Sequence, residues 1–497
     1  MKDGAPLNLF NSLTREQEEF HPLHPGEARV YSCGPTVYNY QHVGNMRAYV
    51  FADTLGRTLS WKGYALTHVI NITDVGHLTS DADAGDDKME KAAAAQGKSA
   101  WDIARYYQQV FEDDLARLNI RKPAHPRATD YVEAMIEWGK AIEAEHCYRL
   151  DGGLYFDVST VPDYGRLARA GTDEGEGRIE AVEGKRHQAD FAIWRATPPG
   201  ETRQMEWDSP WGRGAPGWHI ECSVMSAQLL GHPFDIHTGG IDHREIHHPN
   251  EIAQNQARSC SADSGARVWM HNNFLVDRRG KMSKSSGEFL VLQTLVDRGF
   301  HPLAYRLMCL QAHYRSELEF TWEGLAAAFT RLKRMVLAAG AIKVRQAERG
   351  KGPILPPAEG WTYAGVVNGI GGALRPLAVR FDEAISDDLN TAVALTELEE
   401  LLSLRKMDPD ETLFALAAMD AVLGLRLLEL DRADLRIRPR DAAISEAEIE
   451  AALERRKAAR AEKDFATSDA IRDELGAKGV EVMDGDPLGW DWRLTIG

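Results

Sequence analysis

A short strand, a tight turn, a helix and a second strand follow one another between residues 28 and 72. Residues 28–32 (ARVYS) run into the turn residues Gly34 and Pro35, and residues 64–72 (YALTHVINI) have the same strand-like character. Between them, apolar residues at helical spacing predict a helix over residues 47–61. A strand–turn–helix–strand unit of this kind predicts an α/β fold built on a parallel, doubly wound sheet.

After residue 72, the secondary-structure signals in the sequence change twice. Strand and helix signals return between residues 234 and 276, after a looser, Gly-rich and acidic stretch over 151–211 that suits an insertion. From residue 325 to about 430, Leu/Ala patterns predict helices and hardly any strand. A chain of 497 residues is long enough for about three domains.

Composition and net charge argue against several classes of protein. No apolar run approaches the roughly 20 residues that a bilayer requires, and no leader-like segment opens the chain. The five cysteines are scattered, which favours a reduced cytoplasm over a disulfide framework. The net charge of -17 argues against a protein that coats nucleic acid, although local basic patches remain compatible with a nucleic-acid enzyme.

The segment DRRGKMSKSSGEF places Lys281 and Lys284 in a stretch rich in hydroxyl groups, between Gly280 and Gly287. Two lysines in such a loop suit the neutralisation of triphosphate charge as pyrophosphate leaves. An exposed basic turn is the alternative interpretation, because short Lys/Ser strings also arise by chance.

The letters HVGN, from His42 to Asn45, lie between the first strand and its helix. A small residue such as Gly44 lets the backbone approach a nucleotide, and N–H groups at a helix N-terminus favour phosphate. A surface loop with one ordinary histidine is the alternative.

Four residues with metal-binding side chains are scattered along the chain: Cys33 in YSCGPT, Cys222 in GWHIECS, and His247 and Glu251 in HHPNE. A mixture of sulfur, nitrogen and oxygen donors is one that Zn²⁺ favours in a tetrahedral site. Neither cysteine belongs to a CxxC pair, so two alternatives stay open: polar or nucleotide-contacting histidines, and cysteines that are simply buried.

These segments together resemble the cysteinyl-tRNA synthetases, a family of class I aminoacyl-tRNA synthetases. The resemblance covers nearly the whole chain and rests on NLFNSLTREQEEF, YSCGPTVYNYQHVGN, HVINITD, KRHQADFAIW, SPWGRGAPGWHIECS, HHPNEIAQ, KMSKS, ISDDLNTAVAL and ARAEKDFATSDAIRDEL. The HVGN and KMSKS signatures are shared by many class I synthetases, whereas the four metal-binding side chains with GWHIEC are typical of the cysteine enzyme and its close relatives.

The resemblance implies a Rossmann-type class I catalytic domain and a mostly helical C-terminal half. The expected parts are a catalytic domain over residues 1–275 with a connective insertion at about 119–215, a KMSKS-containing stem-contact region over 276–330, a helical bundle over 331–430, and a small anticodon-binding module over 441–497.

The resemblance also implies the reaction of a cysteine–tRNA ligase. The carboxylate of L-cysteine attacks the α-phosphate of ATP, which gives cysteinyl-adenylate and pyrophosphate, and cysteine then passes to the terminal ribose of tRNA(Cys). We expect ATP to enter with Mg²⁺, and one Zn²⁺ per chain to bind the substrate thiolate and so distinguish cysteine from serine and alanine. We further expect a monomeric, cytoplasmic enzyme with no membrane partner.

The implied site residues fall into three groups. ATP binding is assigned to His42, Gly44, Asn45, Lys281 and Lys284, all of which except Gly44 are also expected to be catalytic. The expected metal ligands are Cys33, Cys222, His247 and Glu251, and the expected cysteine pocket is formed by Gly34, Thr73, Trp218 and Asp242. Asp242 suits the substrate ammonium.

Two departures from the family pattern keep other hypotheses open. Asn45 replaces the histidine that usually ends the first signature, and Pro249 replaces the glutamate of HHENE without changing the ligand spacing. Asn45 leaves room for a non-catalytic tRNA-binding paralogue. A cysteine ligase that acts on an amino sugar is disfavoured by the long stretch after Phe329, and a zinc hydrolase by the lack of an HExxH motif.

Overall fold

The computed structural model describes residues 4–75, 88–168, 184–277, 280–281, 290–350, 352, 354, 356–357 and 360–496. Among these residues, no helix is long and apolar enough to cross a membrane. The described chain opens with an antiparallel hairpin of strands β1 (Asn8–Asn11) and β2 (Glu16–Glu19).

The unit predicted first from the sequence is present. It consists of strand β3 (Glu27–Ser32), helix α1 (Val43–Trp61) and strand β4 (Ala65–Ile70), and the two strands pair in parallel. Helix α1 packs Phe51 and Leu55 into the same buried cluster as the sheet residues.

Helix α1 begins earlier than the predicted residue 47. The His42 side chain accepts a hydrogen bond from the backbone N–H of Asn45 and so caps the helix, which starts at Val43. The residues His42–Asn45 therefore form the cap and first turn of the helix. The N–H groups of that turn point along the helix axis, away from the following turns.

Helices α2 (Lys88–Gln96) and α3 (Ala100–Arg117) precede the insertion expected at about 119–215. Within the insertion, helix α4 (Val132–His146) is followed by four strands that the sequence pattern did not predict: β5 (Cys147–Leu150), β6 (Gly153–Phe156), β7 (Phe191–Ala196) and β8 (Gly214–Pro216). The four strands form an antiparallel sheet in the order β5-β6-β7-β8. Strands β6 and β7 are buried on both faces, so they lack the alternation that would have marked them as strands.

The chain then returns to the central sheet through helix α5 (Trp218–Leu230), strand β9 (Phe234–Gly240), helix α6 (His247–Ser259) and strand β10 (Ala266–Asn272). The completed sheet is parallel and has the order β10-β9-β3-β4. Because β4 lies on one side of β3 and β9 on the other, the strand order reverses at the carboxyl end of β3, where doubly wound sheets bind ligands. The predicted α/β fold class is confirmed.

A second small sheet leads out of the central one. Its strands are β11 (Leu275–Asp277), β12 (Gly280–Lys281) and β13 (Leu318–Glu319), and they pair in the order β12-β11-β13. Along the chain, helices α7 (Leu292–Asp297) and α8 (Pro302–Leu310) lie between β12 and β13.

The C-terminal half is helical, as predicted. Its described helices are α9 (Trp322–Ala347), α10 (Tyr363–Gly369), α11 (Arg375–Ser386), α12 (Thr391–Ser403), α13 (Pro409–Leu423), α14 (Glu446–Ala461) and α15 (Phe465–Ala477), followed by the antiparallel strands β14 (Val480–Val482) and β15 (Trp490–Trp492). Trp490 and Trp492 are buried in a cluster with Ile449 and Leu475, so these tryptophans form the core of the last module.

A buried carboxylate joins helix α1 to the helical half. Asp53 accepts hydrogen bonds at 2.7 Å from both Arg57 and Arg306, and Arg306 also donates to the backbone oxygen of Leu423 at the end of α13. Burial alone would raise the pKa of Asp53, but the two guanidinium groups outweigh it and lower the pKa to about 2. Both guanidinium groups therefore depend on one carboxylate for charge balance.

We expect Asp53→Asn to lower the free energy of unfolding by about 3 kcal/mol or more, because it leaves two buried cations without an anion. Since the folded pKa is depressed, the stabilisation is complete above the unfolded value of about 4 and disappears as the pH falls towards about 2. Denaturant titration at neutral and acid pH measures both effects. The control is Asp102→Asn, which removes an exposed ion pair with Arg105 and should leave the midpoint unchanged; equal losses in the two variants would contradict the role of Asp53.

Candidate functional site

A cleft of about 270 Å³ opens at the carboxyl ends of the central strands, beside the first turn of α1. Its walls include eight residues predicted from the sequence: Cys33, Gly34, His42, Gly44, Asn45, Trp218, Asp242 and His247. Cys222, Glu251 and Thr73 do not line the cleft and are buried. The structure therefore brings two of the predicted residue groups to one opening, together with His42, Gly44 and Asn45 of the third.

The four predicted metal ligands meet at the base of the cleft, with donor atoms all within 4.8 Å of one another. The Nε2 atom of His247 lies 3.0 Å from the Glu251 carboxylate and 3.4 Å from the Cys222 sulfur. The Cys33 sulfur lies 4.0 Å from both the Cys222 sulfur and the Glu251 carboxylate. Two sulfurs, one nitrogen and one oxygen thus converge on one buried point.

Three different elements deliver these donors. Cys33 directly follows strand β3, and Cys222 lies in the second turn of α5. Helix α6 begins at His247, so His247 and Glu251 are four residues apart on one helical face. The spacing that brings them together is therefore that of an α-helix.

Further histidines surround the four donors. The Nε2 atom of His237 donates to the second Glu251 oxygen at 2.8 Å, and the Nε2 atom of His248 lies 3.2 Å from the Cys33 sulfur. Cys33, His237, His248 and Glu251 therefore form an overlapping donor set. On the other side of the site, the Nδ1 atom of His219 lies 2.9 Å from that of His247. No role was predicted for these histidines, although the density of histidines in DIHTGGIDHREIHH, which includes His237 and His248, was a usable signal.

The pKa values at this point show that thiolate, carboxylate and imidazolium stabilise one another. A hydrogen bond from Cys33, supported by His247, lowers the pKa of the Cys222 thiol to about 6 against the effect of burial. Burial also opposes ionisation of Glu251, but His237 and His247 lower its pKa to about 2. Burial disfavours the imidazolium of His247, yet Glu251 and Cys222 raise its pKa to about 10. A position that holds a proton so tightly between a thiolate and a carboxylate is one that also attracts a cation.

The wall of the cleft at α1 combines an open backbone with a capped helix end. A Cβ atom on Gly44 would lie 2.9 Å from the His42 ring, so a side chain there would press on the residue that caps the helix. Asn45 is exposed and donates its side-chain amide to the Gln41 side chain at 2.8 Å. His42, Gly44 and Asn45 of this turn line the same opening as Cys33 and His247.

Of the predicted cysteine-pocket residues, Gly34, Trp218 and Asp242 line the cleft, whereas Thr73 lies beneath its wall. The Trp218 ring packs on the His247 ring with centroids 4.3 Å apart, and the half-exposed Asp242 carboxylate lies on the cleft surface. Gly34 leaves no room for a side chain, because a Cβ there would lie 1.4 Å from the Asn71 backbone oxygen. Thr73 lies beneath, where its hydroxyl donates to the buried Glu221 carboxylate at 2.8 Å.

Of the two predicted lysines, only Lys281 lies among the described residues. Lys281 forms part of strand β12, paired with Val276 of β11, and the described residues say nothing of its side chain. Lys284 lies outside the described residues. Their roles stay predictions.

Arg47 supports the site from behind its wall, and nothing in the sequence predicted this role. It lies in α1 and is buried, and its guanidinium donates to the backbone oxygens of Asn273 and Phe274, at 2.9 and 2.5 Å, and of His313 and Ser316, at 3.2 and 2.6 Å. Asn273 and Phe274 form the wall of the cleft opposite α1. Arg47 therefore fixes the separation between the two walls, a role that its position in a helical pattern does not reveal.

Comparison with known families agrees with this architecture. Residues 19–330 match the family model described as "tRNA synthetases class I (C) catalytic domain", and residues 445–493 match the "Cysteinyl-tRNA ligase anticodon binding domain". Among solved structures, a Mycobacterium tuberculosis methionyl-tRNA synthetase in complex with methionyl-adenylate has a TM-score of 0.52 at 15% identity, over 80% of this chain and 90% of that one. An Agrobacterium radiobacter K84 LeuRS–tRNA–LeuAMS complex has a TM-score of 0.56 at 12% identity, over 84% and 85%. Both likenesses concern the fold.

Three relatives with higher sequence identity are all cysteine–tRNA ligases. Cysteine–tRNA ligase of Novosphingobium aromaticivorans is 70% identical over 499 residues, covering 99% of this chain and 98% of the relative. The enzyme of Zymomonas mobilis is 54% identical over 515 residues and 99% of both chains, and that of Thermus thermophilus is 39% identical over 98% of this chain and 99% of the relative.

The parallel sheet, the cleft at its switch point and the matching catalytic family define a class I aminoacyl-tRNA synthetase. Within that class, the chain belongs to the cysteine–tRNA ligase family. It is an enzyme that uses ATP to join L-cysteine to tRNA, as the sequence predicted, and it carries an anticodon-binding domain.

We expect Arg47→Met to reduce cysteine-dependent ATP–pyrophosphate exchange by about tenfold or more, mainly through a higher KM for ATP, because the two walls of the cleft lose their common anchor. Arg57→Met is the matched control: Arg57 is also a buried arginine of α1, bound to the backbone oxygens of Ala421 and Asn119 away from the cleft. It should lower stability and leave the KM for ATP within about twofold. A similar rise in both variants would reduce Arg47 to a general stabilising residue.

Proposed function

We propose that the cleft forms cysteinyl-adenylate and that Cys33, Cys222, His247 and Glu251 hold one Zn²⁺ that selects the amino acid through its thiolate. The observation that carries the proposal is the convergence of these four donors within 4.8 Å, directly below a cleft large enough for a small substrate. The donor set fits zinc in its chemistry, because Mg²⁺ and Ca²⁺ prefer shells made entirely of oxygen. When bound, zinc supplies a Lewis-acidic position that prefers a thiolate to a hydroxyl or a methyl group.

The remaining pocket residues orient the amino acid. Asp242 offers a carboxylate to the substrate ammonium, and Trp218 forms an apolar wall beside His247. Gly34 lets the cleft wall pack tightly against Asn71, whose side chain accepts a hydrogen bond from the Gly34 N–H group at 2.8 Å. Thr73 acts from the layer below, where its bond to Glu221 holds the segment after β4 in place. Together these contacts direct the substrate carboxylate towards the nucleotide side of the cleft.

The nucleotide side binds ATP, with Mg²⁺ on its phosphates. A carboxylate oxygen of cysteine attacks the α-phosphorus, and the bond to the bridging oxygen breaks, so that pyrophosphate leaves with its electron pair. His42, Asn45 and the backbone at Gly44 hold the phosphates, and Lys281 and Lys284 neutralise the developing charge. Asn45 remains a hydrogen-bond donor in place of histidine, which keeps this arrangement competent.

In the second step, a hydroxyl of the terminal tRNA ribose attacks the carbonyl carbon of the adenylate, and AMP leaves. We propose that the module over residues 441–497 contacts the anticodon of tRNA(Cys). Phe465, at the start of α15, is 61% exposed, so its ring is available to stack on a base. Arg455 in the preceding helix is exposed and supplies positive charge for a phosphate backbone.

The other expectations from the sequence stay proposals. We propose a monomeric enzyme that acts in the cytoplasm, where aminoacyl-tRNA is used. We also propose the domain boundaries at residues 275, 330, 430 and 441 that the sequence pattern suggests.

For the metal site, we expect Cys222→Ser to lose zinc and to raise the KM for cysteine by about two orders of magnitude, because serine is a poor zinc ligand. The KM for ATP should change little, since Cys222 lies below the cleft. Elemental analysis and cysteine-dependent pyrophosphate exchange give the two readouts. Cys147→Ser, in strand β5, is the control and should behave as wild type. Retention of zinc and of a normal KM in Cys222→Ser would reject the proposed ligand set.

For the anticodon module, we expect Phe465→Ala to reduce kcat/KM for tRNA aminoacylation by about ten- to a hundredfold, the effect of losing one stacked base. Pyrophosphate exchange should stay unchanged, because that step needs no tRNA. Val344→Ala is the control, since Val344 is an equally exposed apolar residue in α9. Equal losses of exchange and aminoacylation would mean that Phe465 supports the fold instead.

A further inference from the structure

A cluster of tyrosines lies on the surface next to the cleft. Tyr40 and Tyr106 are 39% and 45% exposed, and their rings both pack edge-on against Tyr107, at centroid distances of 5.2 and 5.0 Å. We call these three residues the tyrosine surface. They come from two separate segments, the loop before α1 and helix α3, so their meeting is a property of the fold and not of a local repeat.

The tyrosine surface is rigidly held although it is exposed. The Tyr40 and Tyr106 hydroxyl groups lie 3.1 Å apart in a hydrogen bond, and Gln96 donates its side-chain amide to the Tyr107 hydroxyl at 3.1 Å. The hydrogen bond with Tyr106 is the main cause that raises the pKa of Tyr40 to about 12, so its phenol is neutral at physiological pH. Two exposed rings fixed in this way form a preorganised face, which a ligand can cover at little cost in entropy.

The tyrosine surface is continuous with the cleft. Tyr38 and Gln41, on either side of Tyr40 in the chain, both line the opening. Lys88 also lines it, and its ammonium lies over the Tyr38 ring at 5.8 Å from the centroid. A molecule that leaves the cleft on this side therefore passes directly onto Tyr40.

Positive charge accompanies the rings. The Lys98 ammonium lies 5.2 Å from the centroid of Tyr106, and Lys98 forms no ion pair with any residue that the structure describes. With Lys88 at the cleft, the path from the opening to Tyr106 carries an alternation of rings and ammonium groups. Aromatic faces beside cations are the surface that single-stranded nucleic acid recognises, through base stacking and phosphate contacts.

We propose that the tyrosine surface binds the single-stranded 3′ end of the tRNA and guides its terminal ribose into the cleft. The ligase reaction requires such a strand to enter this cleft, and the surface adjoins the opening. The inference rests on the proposed adenylate site: the bases stack on Tyr40 and Tyr106 while Lys98 and Lys88 contact the phosphates. Because rings stack on any base, the contact positions the strand without reading its sequence.

The test combines a double variant, Tyr40→Ala with Tyr106→Ala, and two RNAs: a full-length tRNA(Cys) transcript and the same transcript without its single-stranded 3′ nucleotides. We expect the double variant to bind the full-length transcript about ten- to a hundredfold more weakly than the wild-type enzyme does. The two proteins should bind the shortened transcript with the same affinity. Aminoacylation should fall by a similar factor, and cysteine-dependent pyrophosphate exchange should stay within about twofold. Replacement of both tyrosines by phenylalanine keeps the rings and should restore binding.

Trp101→Ala is the matched control. Trp101 is 37% exposed and belongs to the same helix, but it lies about 140° around the helix from Tyr106 and packs on Trp207. It should leave both RNAs unaffected. Equal weakening for the two transcripts, unchanged binding of the full-length transcript, or a change in self-association in place of RNA binding would overturn the proposal. Absence of cysteine-dependent exchange in the wild-type enzyme would instead refute the proposed adenylate site, and the two failures are thus distinct.

Discussion

Two thiol sulfurs, an imidazole and a carboxylate share one buried volume at the carboxyl end of β3, and their charges must balance there. Burial of the Glu251 carboxylate and the Cys222 thiolate is tolerable only because His237 and His247 lie within reach of them. This requirement determines how β3, α5 and α6 are placed around one point. The same placement leaves a cleft above the point, with the first turn of α1 as its second wall.

The parts of the structure that could be predicted from the sequence are those with local signals. The strand–helix–strand unit and the helical C-terminal half follow from periodicity, and the metal donors follow from residue type within a recognisable family pattern. The start of α1 was misjudged because Gly44 and Asn45 are poor helix formers, whereas the side chain of His42 supplies the missing cap. The supporting role of Arg47 could not be recognised, because its partners are backbone oxygens more than 200 residues away in the chain.

The site is connected to the rest of the molecule through helix α1. Its first turn faces the nucleotide side of the cleft, Arg47 ties it to the opposite wall, and Asp53 ties it to Arg306 of α8, which reaches the end of α13. The loop that precedes the helix carries Tyr40 at the tyrosine surface. One helix therefore relates the adenylate chemistry, the proposed path of the tRNA end and the helical half that leads to the anticodon module.

The central claim is that selection of cysteine depends on its sulfur reaching the metal held by Cys33, Cys222, His247 and Glu251. X-ray absorption at the zinc edge measures the number of sulfur neighbours directly. The account predicts two sulfur neighbours in the protein alone, from Cys33 and Cys222, a third when L-cysteine is added, and no change with L-serine. A sulfur count that stays at two in the presence of saturating cysteine would make the metal purely structural and would contradict the account.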